Sequence, residues 1–179
     1  MTDLSFHHLA DKPQHIPTCG RWEHEAWGKS GGMTLDQAIA HYAHTGHDAL
    51  PVTLIATSRD EIVGMVSLWV NDCPLRPDLT PWVASLYVAP AARGQGIGPA
   101  LFSRIQAEAA RLGIERLHLM TQHSEAIYRA DGWQTFDHID GPGPMENAVL
   151  MRKDVAARTP QGIDKTRDVA SPRHARHLD

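Results

Sequence analysis

The segment with the most evident chemistry runs Tyr87-Val88-Ala-Pro-Ala-Ala-Arg93-Gly94-Gln95-Gly96-Ile97-Gly98. Three glycines within five residues let a backbone turn sharply and aim several amides at one point. A helical pattern follows at once, adding unpaired N–H groups and the positive end of a helix dipole. Together they make an anion site sized for a phosphate or diphosphate. A dinucleotide fingerprint begun at Gly94 would need glycine where Pro99 stands, and one begun at Gly96 would need it at Leu101. Gly28-Lys-Ser ends like a nucleotide phosphate loop, but Glu23 occupies its first glycine position and no strand pattern precedes it. Both nucleotide readings fail on spacing.

The elements that must position this loop follow from periodicity. Ile16 to Trp27 reads as a helix with Pro17 in its first turn and Gly28 at its end. Thr34 and Gln37 form a capping-box pair that opens a second helix, expected to stop at Gly46. Val52 to Thr57 and Ile62 to Val70 are β-branched, apolar runs joined by Ser58-Arg-Asp-Glu, a hairpin signature. Asn71 to Pro81 is turn-rich, and Trp82 to Val88 is another strand, which delivers the chain to the glycine loop. The next helix starts near Gly98, tolerates Pro99 in its first turn, and closes at Gly113. Leu101, Ile105, Ala109 and Leu112 give it one apolar face. Arg116 to Thr121 is a strand, Ser124 caps a brief helix through Ala130, and Trp133–Asp140 and Ala148–Val155 are the last strands. The strand–helix–strand over 82–121 requires a parallel crossover, whereas the hairpins are antiparallel, so the fold is α/β with a mixed sheet. Residues 156–179, without aromatics or periodicity, are expected to form a disordered tail.

Composition narrows the function classes. In 179 residues, 17 basic and 21 acidic side chains give a net charge of −4 with histidine neutral, so no broad basic face for nucleic acid or anionic membrane is expected. Cys19 and Cys73 form no CxxC pair, which excludes a disulfide framework and a thiolate zinc site and fits a reducing compartment. The first residues lack a basic start and an apolar stretch, and no apolar run approaches a membrane span, so a cytoplasmic location is expected.

Arg93-x-x-Gly96-x-Gly98, preceded by Leu86-Tyr-Val-x-Pro and followed by a helix, resembles motif A of the GNAT superfamily of acetyl-CoA-dependent N-acetyltransferases. Ile127-Tyr128-x-x-x-Gly132-Trp133 resembles the family's motif B. The resemblance covers residues 1–155 and implies a mixed, mostly antiparallel central sheet with helices on both faces, in the order β-α-α-β-β-β-α-β-α-β-β. It implies that Arg93, Gly94, Gln95, Gly96, Ile97 and Gly98 hold the CoA diphosphate, largely through backbone amides. Leu86, Tyr87 and Val88 would meet the pantetheine arm as a neighbouring strand would, and a backbone N–H there would polarise the acetyl carbonyl. Thr121 stands where many relatives carry an asparagine that holds the pantetheine. Tyr128 would act as the general acid at the CoA sulfur, a task suited to a phenol that stays protonated at neutral pH. The implied reaction is transfer of acetyl from acetyl-CoA to a primary amine of a small molecule or peptide by direct attack, with no metal. A catalytically silent acyl-CoA sensor of the same fold is the alternative, and a homodimer is kept open.

The family's usual strand acid is missing, since Trp82 to Val88 contains none. Asp72, Asp78, His123 and Glu125 are open alternatives as base, beside water held by Ser85. With no acid on the strand, the expectation is that no single carboxylate accounts for deprotonation and that a Ser85 water relay, or capture of the neutral amine, replaces it. Trp69, Trp82 and Tyr42 are expected to pack rather than to touch substrate. His41, His44 and His47 have helical spacing, but Gly46 should break the helix before His47 and no cysteine or acid cluster completes a zinc set, so no metal site is expected there.

Overall fold

A computed structural model describes residues 3–155, so the expected tail lies outside the described residues. The chain builds one seven-stranded sheet in the order β1-β2-β3-β4-β5-β7-β6. Its strands are β1 (Leu4–His8), β2 (Val52–Ser58), β3 (Glu61–Trp69), β4 (Trp82–Val88), β5 (Arg116–Thr121), β6 (Gln134–Ile139) and β7 (Ala148–Asp154). The helices are α1 (Ile16–Glu23), α2 (Leu35–Tyr42), α3 (Ile97–Arg111) and α4 (Glu125–Ala130). Every neighbouring pair is antiparallel except β4–β5, which the α3 crossover makes parallel. Element order and sheet type are those expected from the sequence.

Strand alternation divides the core between two faces. Leu54 and Val66, paired across β2–β3, turn to α3 and meet Leu101, Phe102, Ile105 and Ala109. Their neighbours Ile55 and Met65 turn the other way and pack with Cys19 of α1 and Tyr42 of α2. Each such Leu or Ile contributes roughly 1.5–3 kcal/mol by leaving water. α1 and α2 lie so close that a Cβ on Gly20 would sit 2.5 Å from the Ile39 Cα, so any side chain there would push the helices apart.

Local signals mostly act as read. Thr34 accepts the Gln37 amide at 3.2 Å while the Gln37 side chain accepts the Thr34 amide at 2.8 Å, closing the capping box. Arg59 and Asp60, with φ of 50° and 65°, form the tight left-handed turn between β2 and β3. Three details depart from expectation. The first helix continues past Glu23 as a π-helical segment, His24–Gly28, because Lys29 N–H reaches back to the His24 carbonyl. α2 ends at Tyr42, not Gly46, where Ala43 and Thr45 bond carbonyls three residues back and the chain tightens into turns. The Ser124 side chain makes no cap bond; instead its amide donates to Thr121 Oγ1 at 3.0 Å, which steers β5 into α4. Among the described residues no helix is long and apolar enough to cross a membrane.

Candidate active site

Two irregularities in the sheet create the site. Between Met65↔Tyr87 and Ser67↔Ala84, two residues of β4, Ser85 and Leu86, oppose one of β3. Ser85 takes φ of 56°, and this bulge bends the strand. On its other side β4 pairs with β5 only at Trp82↔His118, supported by the His118 N–H to Pro81 carbonyl bond of 3.0 Å. Beyond that pair the strands part. The parting opens a cleft of about 480 Å³ whose walls include Val83 to Leu86 of β4, Leu119 to Thr121 of β5, Phe102 of α3 and Tyr128 of α4.

The glycine loop stands at the end of β4. Gly94 and Gly96 have φ of 74° and 75°, the left-handed region that costs another residue about 1–2 kcal/mol. A Cβ at either position would meet no protein atom within 4 Å, so these backbones present an open approach. Gly96 is the N-cap of α3, its carbonyl accepting the Ala100 amide at 3.1 Å. The helix begins at Ile97, one residue before the expected start, and Pro99 still falls in the first turn, where a missing N–H breaks no helix bond. The exposed Arg93 side chain donates its Nε–H to the Val88 carbonyl at 3.0 Å, with its guanidinium 5.8 Å from the Tyr87 ring centre. What the loop presents at Gly94 and Gly96 is backbone.

Tyr128 is half-buried, its ring 5.2 Å from that of Phe102 and 6.4 Å from that of Trp133. Burial raises its phenol above the usual value of 10, so it carries its proton at neutral pH. Thr121 lines the cleft, with its hydroxyl oxygen already accepting the Ser124 amide.

The opposite part of the cleft is walled by α1, its π-helical extension and three loops, which supply Glu23, Trp27, Met33, Asp72 and Pro142. Of the four side chains considered as bases, Asp72 and His123 line the cleft. Asp78 is exposed and bonded to Arg76 at 2.8 and 2.9 Å. Glu125 accepts from Thr135 at 2.5 Å and pairs with Arg129 at 2.7 Å, contacts that hold its carboxyl below the usual range. Asp72 has the reverse environment: burial first, then the charge of Glu23, pushes it up to about 8. Ser85 also lines the cleft, its hydroxyl accepting the Trp69 indole N–H at 3.2 Å. Trp82 is fully buried with its indole on the Leu79 carbonyl, and Tyr42 is fully buried with its hydroxyl donating to Glu23 at 2.9 Å. These two are packing residues, as expected. Trp69 packs edge-on against Tyr42 at 5.3 Å.

Glu23 was not visible as a site residue from sequence. It sits within an ordinary helical pattern, and only the packing of α1 over β4 turns it to the cleft. Its Gly28-adjacent neighbours follow it there through the π-helical segment, for which the sequence carries no evident signal.

A strand-to-helix glycine loop thus stands beside two parted parallel strands, with a phenol and carboxyl groups in the gap. The acetyltransferase (GNAT) family model matches residues 16–132, more than half of the chain, and the chain belongs to that family. Solved structures agree on the fold. An aminoglycoside 6'-N-acetyltransferase complexed with coenzyme A superposes with a TM-score of 0.64 at 14% identity, covering 88% of this chain and 99% of that one. Arabidopsis thaliana NAA60 in complex with a bisubstrate analogue gives 0.64 at 12% identity, covering 86% and 99%. The ribosomal-protein-S18-alanine N-acetyltransferase from Escherichia coli gives 0.58 at 14% identity, covering 90% and 98%. A comparison with curated proteins found no match.

Proposed function

We propose that this protein transfers the acetyl group of acetyl-CoA to a cationic primary amine by direct attack within the β4–β5 cleft. The observation that carries the reading is the composition of that one cleft. A protonated phenol lines it together with a pair of carboxyl groups, those of Glu23 and Asp72, and no lysine or arginine is among its lining residues.

The donor side fits the cosubstrate. The open backbones of Gly94 and Gly96 and the first turn of α3 suit a diphosphate, and the unpaired stretch of β4 suits an extended pantetheine. Bound there, acetyl-CoA supplies a thioester carbonyl as the acyl donor. Backbone N–H groups of Leu86 to Val88 stabilise the negative charge that grows on the carbonyl oxygen as the amine nitrogen bonds its carbon. As the C–S bond breaks, Tyr128 gives its hydroxyl proton to the leaving sulfur.

The acceptor side handles the other proton. An ammonium is drawn between Glu23 and Asp72, and Asp72, once its own proton has left to solvent, takes the proton of the ammonium in its ionised form. A carboxyl titrating near 8 is a far better match to an amine than an ordinary one. Ser85, anchored by Trp69, holds the water through which that proton passes when the amine lies beyond direct reach. The aminoglycoside 6'-N-acetyltransferase and the ribosomal-protein-S18-alanine N-acetyltransferase that share the fold support an amine acceptor, on a small molecule or a protein.

The test is thiol release from acetyl-CoA against a panel of small cationic amines, peptide N-termini and neutral alcohols. Turnover with one or more amines is expected. Tight acetyl-CoA binding with no acetylated product from any amine would replace this reading with a silent acyl-CoA sensor.

A further inference from the structure

Outside the cleft, the end of β1, the turn after it, the α2–β2 connection and α3 converge at one edge of the molecule. His8 closes β1, Asp11 ends the turn, and His47 lies in the connection after α2. One ligand atom from each, imidazole nitrogen or carboxylate oxygen, can be chosen so that all lie within 4.8 Å of one another. His47 Nε2 is 2.9 Å from Asp11 Oδ1, His8 Nε2 is 2.8 Å from Glu108 Oε1, and the two imidazole centres are 4.8 Å apart. None of these residues lines the acetyl-transfer cleft. The helical spacing of His41, His44 and His47 pointed to a different trio, and folding separates it: α2 ends at Tyr42, His41 packs against Trp69 at 5.7 Å, and His47 is carried to β1.

We propose that His8, His47 and Asp11 bind a divalent transition-metal ion of the zinc type, with Glu108 as the fourth ligand, and that the ion fastens β1 and the α2–β2 connection to α3. Two imidazoles and two carboxylates are a donor set that zinc accepts in tetrahedral sites. Metal–ligand bonds of about 2.0–2.2 Å place tetrahedral donor atoms roughly 3.3–3.5 Å apart. The His8, Asp11 and His47 donor atoms, within 4.8 Å of one another, approach that spacing with shifts of about an ångström, which the exposed Asp11 and His47 side chains can make, and Glu108 stands beside this trio through its 2.8 Å contact with His8. Glu108 is the least exposed member, 11% by its side chain. Arg111 and His8 both bond its Oε1, which leaves Oε2 available to a metal. Arg111 is itself occupied by Glu108, Asp48 and the His47 carbonyl, which also fixes the loop carrying His47.

The full chain is purified without a histidine tag, stripped with EDTA and titrated with Zn²⁺ by calorimetry, with Co²⁺ as a visible-absorption probe. The expected result is one equivalent bound, a tetrahedral Co²⁺ spectrum and a rise in Tm that EDTA reverses. His47→Ala and Asp11→Asn should each weaken binding by about 10–100-fold and leave acetyl-CoA affinity unchanged. His41→Ala and His44→Ala should bind metal as the parent does. Absence of binding in the parent chain, or binding unchanged in His47→Ala and Asp11→Asn, would reduce the cluster to two histidine–carboxylate ion pairs. Acetyl transfer stands or falls separately, because no residue of this cluster touches the cleft.

Discussion

The two halves of the cleft are built by different means. On the proposed donor side, which runs from the cleft to the glycine loop after β4, the groups on offer are backbone: the Gly94–Gly98 amides, the first turn of α3 and the unpaired edge of β4. On the acceptor side they are side chains, Glu23, Trp27, Met33 and Asp72, brought from segments distant in the chain. A backbone site recognises what every reaction of this kind shares, a diphosphate and an extended arm, and depends little on which side chains surround it. A side-chain site can be rewritten residue by residue. One half can therefore keep its ligand while the other changes its acceptor.

The largest effect should come from breaking the backbone half. Gly96→Glu adds strain at a left-handed position and sets a negative charge where the diphosphate belongs. Acetyl-CoA binding by calorimetry should disappear while circular dichroism shows a folded protein. Unchanged affinity would remove the glycine loop from the account.

Between the halves, Tyr128→Phe should lower kcat on the order of 10²–10⁴-fold and barely alter acetyl-CoA affinity, since only the transition state uses the proton. An unaltered kcat would leave Tyr128 as packing for Phe102 and Trp133. Asp72→Asn on the acceptor side should cost less, roughly 10²–10³-fold in kcat/KM, because Glu23 still attracts the ammonium. Parent-like kcat/KM in that variant would return the proton to the Ser85 water alone.

A smaller effect separates the halves by stability. The Asp72 carboxyl is pushed up to about 8 in the fold from the 3.8 of an exposed aspartate, so the folded state holds the extra proton between those values. Stability then falls as pH rises through that window, by at most about 1.4 kcal/mol per unit, and the loss is complete above it. Asp72→Asn lacks this slope. Its Tm should exceed that of the parent at pH 9 and approach it near pH 4. Parallel Tm curves would mean that Asp72 titrates like an ordinary carboxylate.

The same contrast explains what could be read from sequence. The glycine loop, the Thr34–Gln37 box, the Arg59–Asp60 turn and the apolar face of α3 are short-range patterns, and each formed as its residues demand. Asp72 was one of four alternatives, three acids and one histidine, and with nothing local to rank it the sequence favoured water at Ser85, or a neutral amine, over any single carboxylate. Its environment arises from the parting of β4 and β5 and from Glu23, a residue that looks like any other on a helix. The bulge at Ser85 was equally hidden, because Val83 to Leu86 reads as an unbroken strand until its register with β3 is known. His47 shows the converse: spacing grouped it with His41 and His44, whereas chain reversal after Tyr42 sets it beside His8. Local order was legible; what long-range packing brings together was not.

The account turns on Asp72 as the tuned acid of the acceptor half, and a pH profile of kcat/KM tests it most directly. Two acceptors are compared, both with ammonium pKa values above that of Asp72 and differing from each other by about one unit. The account predicts a rise through an inflection near 8 that is the same for both acceptors, moves downward in Glu23→Gln and vanishes in Asp72→Asn. An inflection that follows the pKa of each acceptor and persists in Asp72→Asn would contradict it.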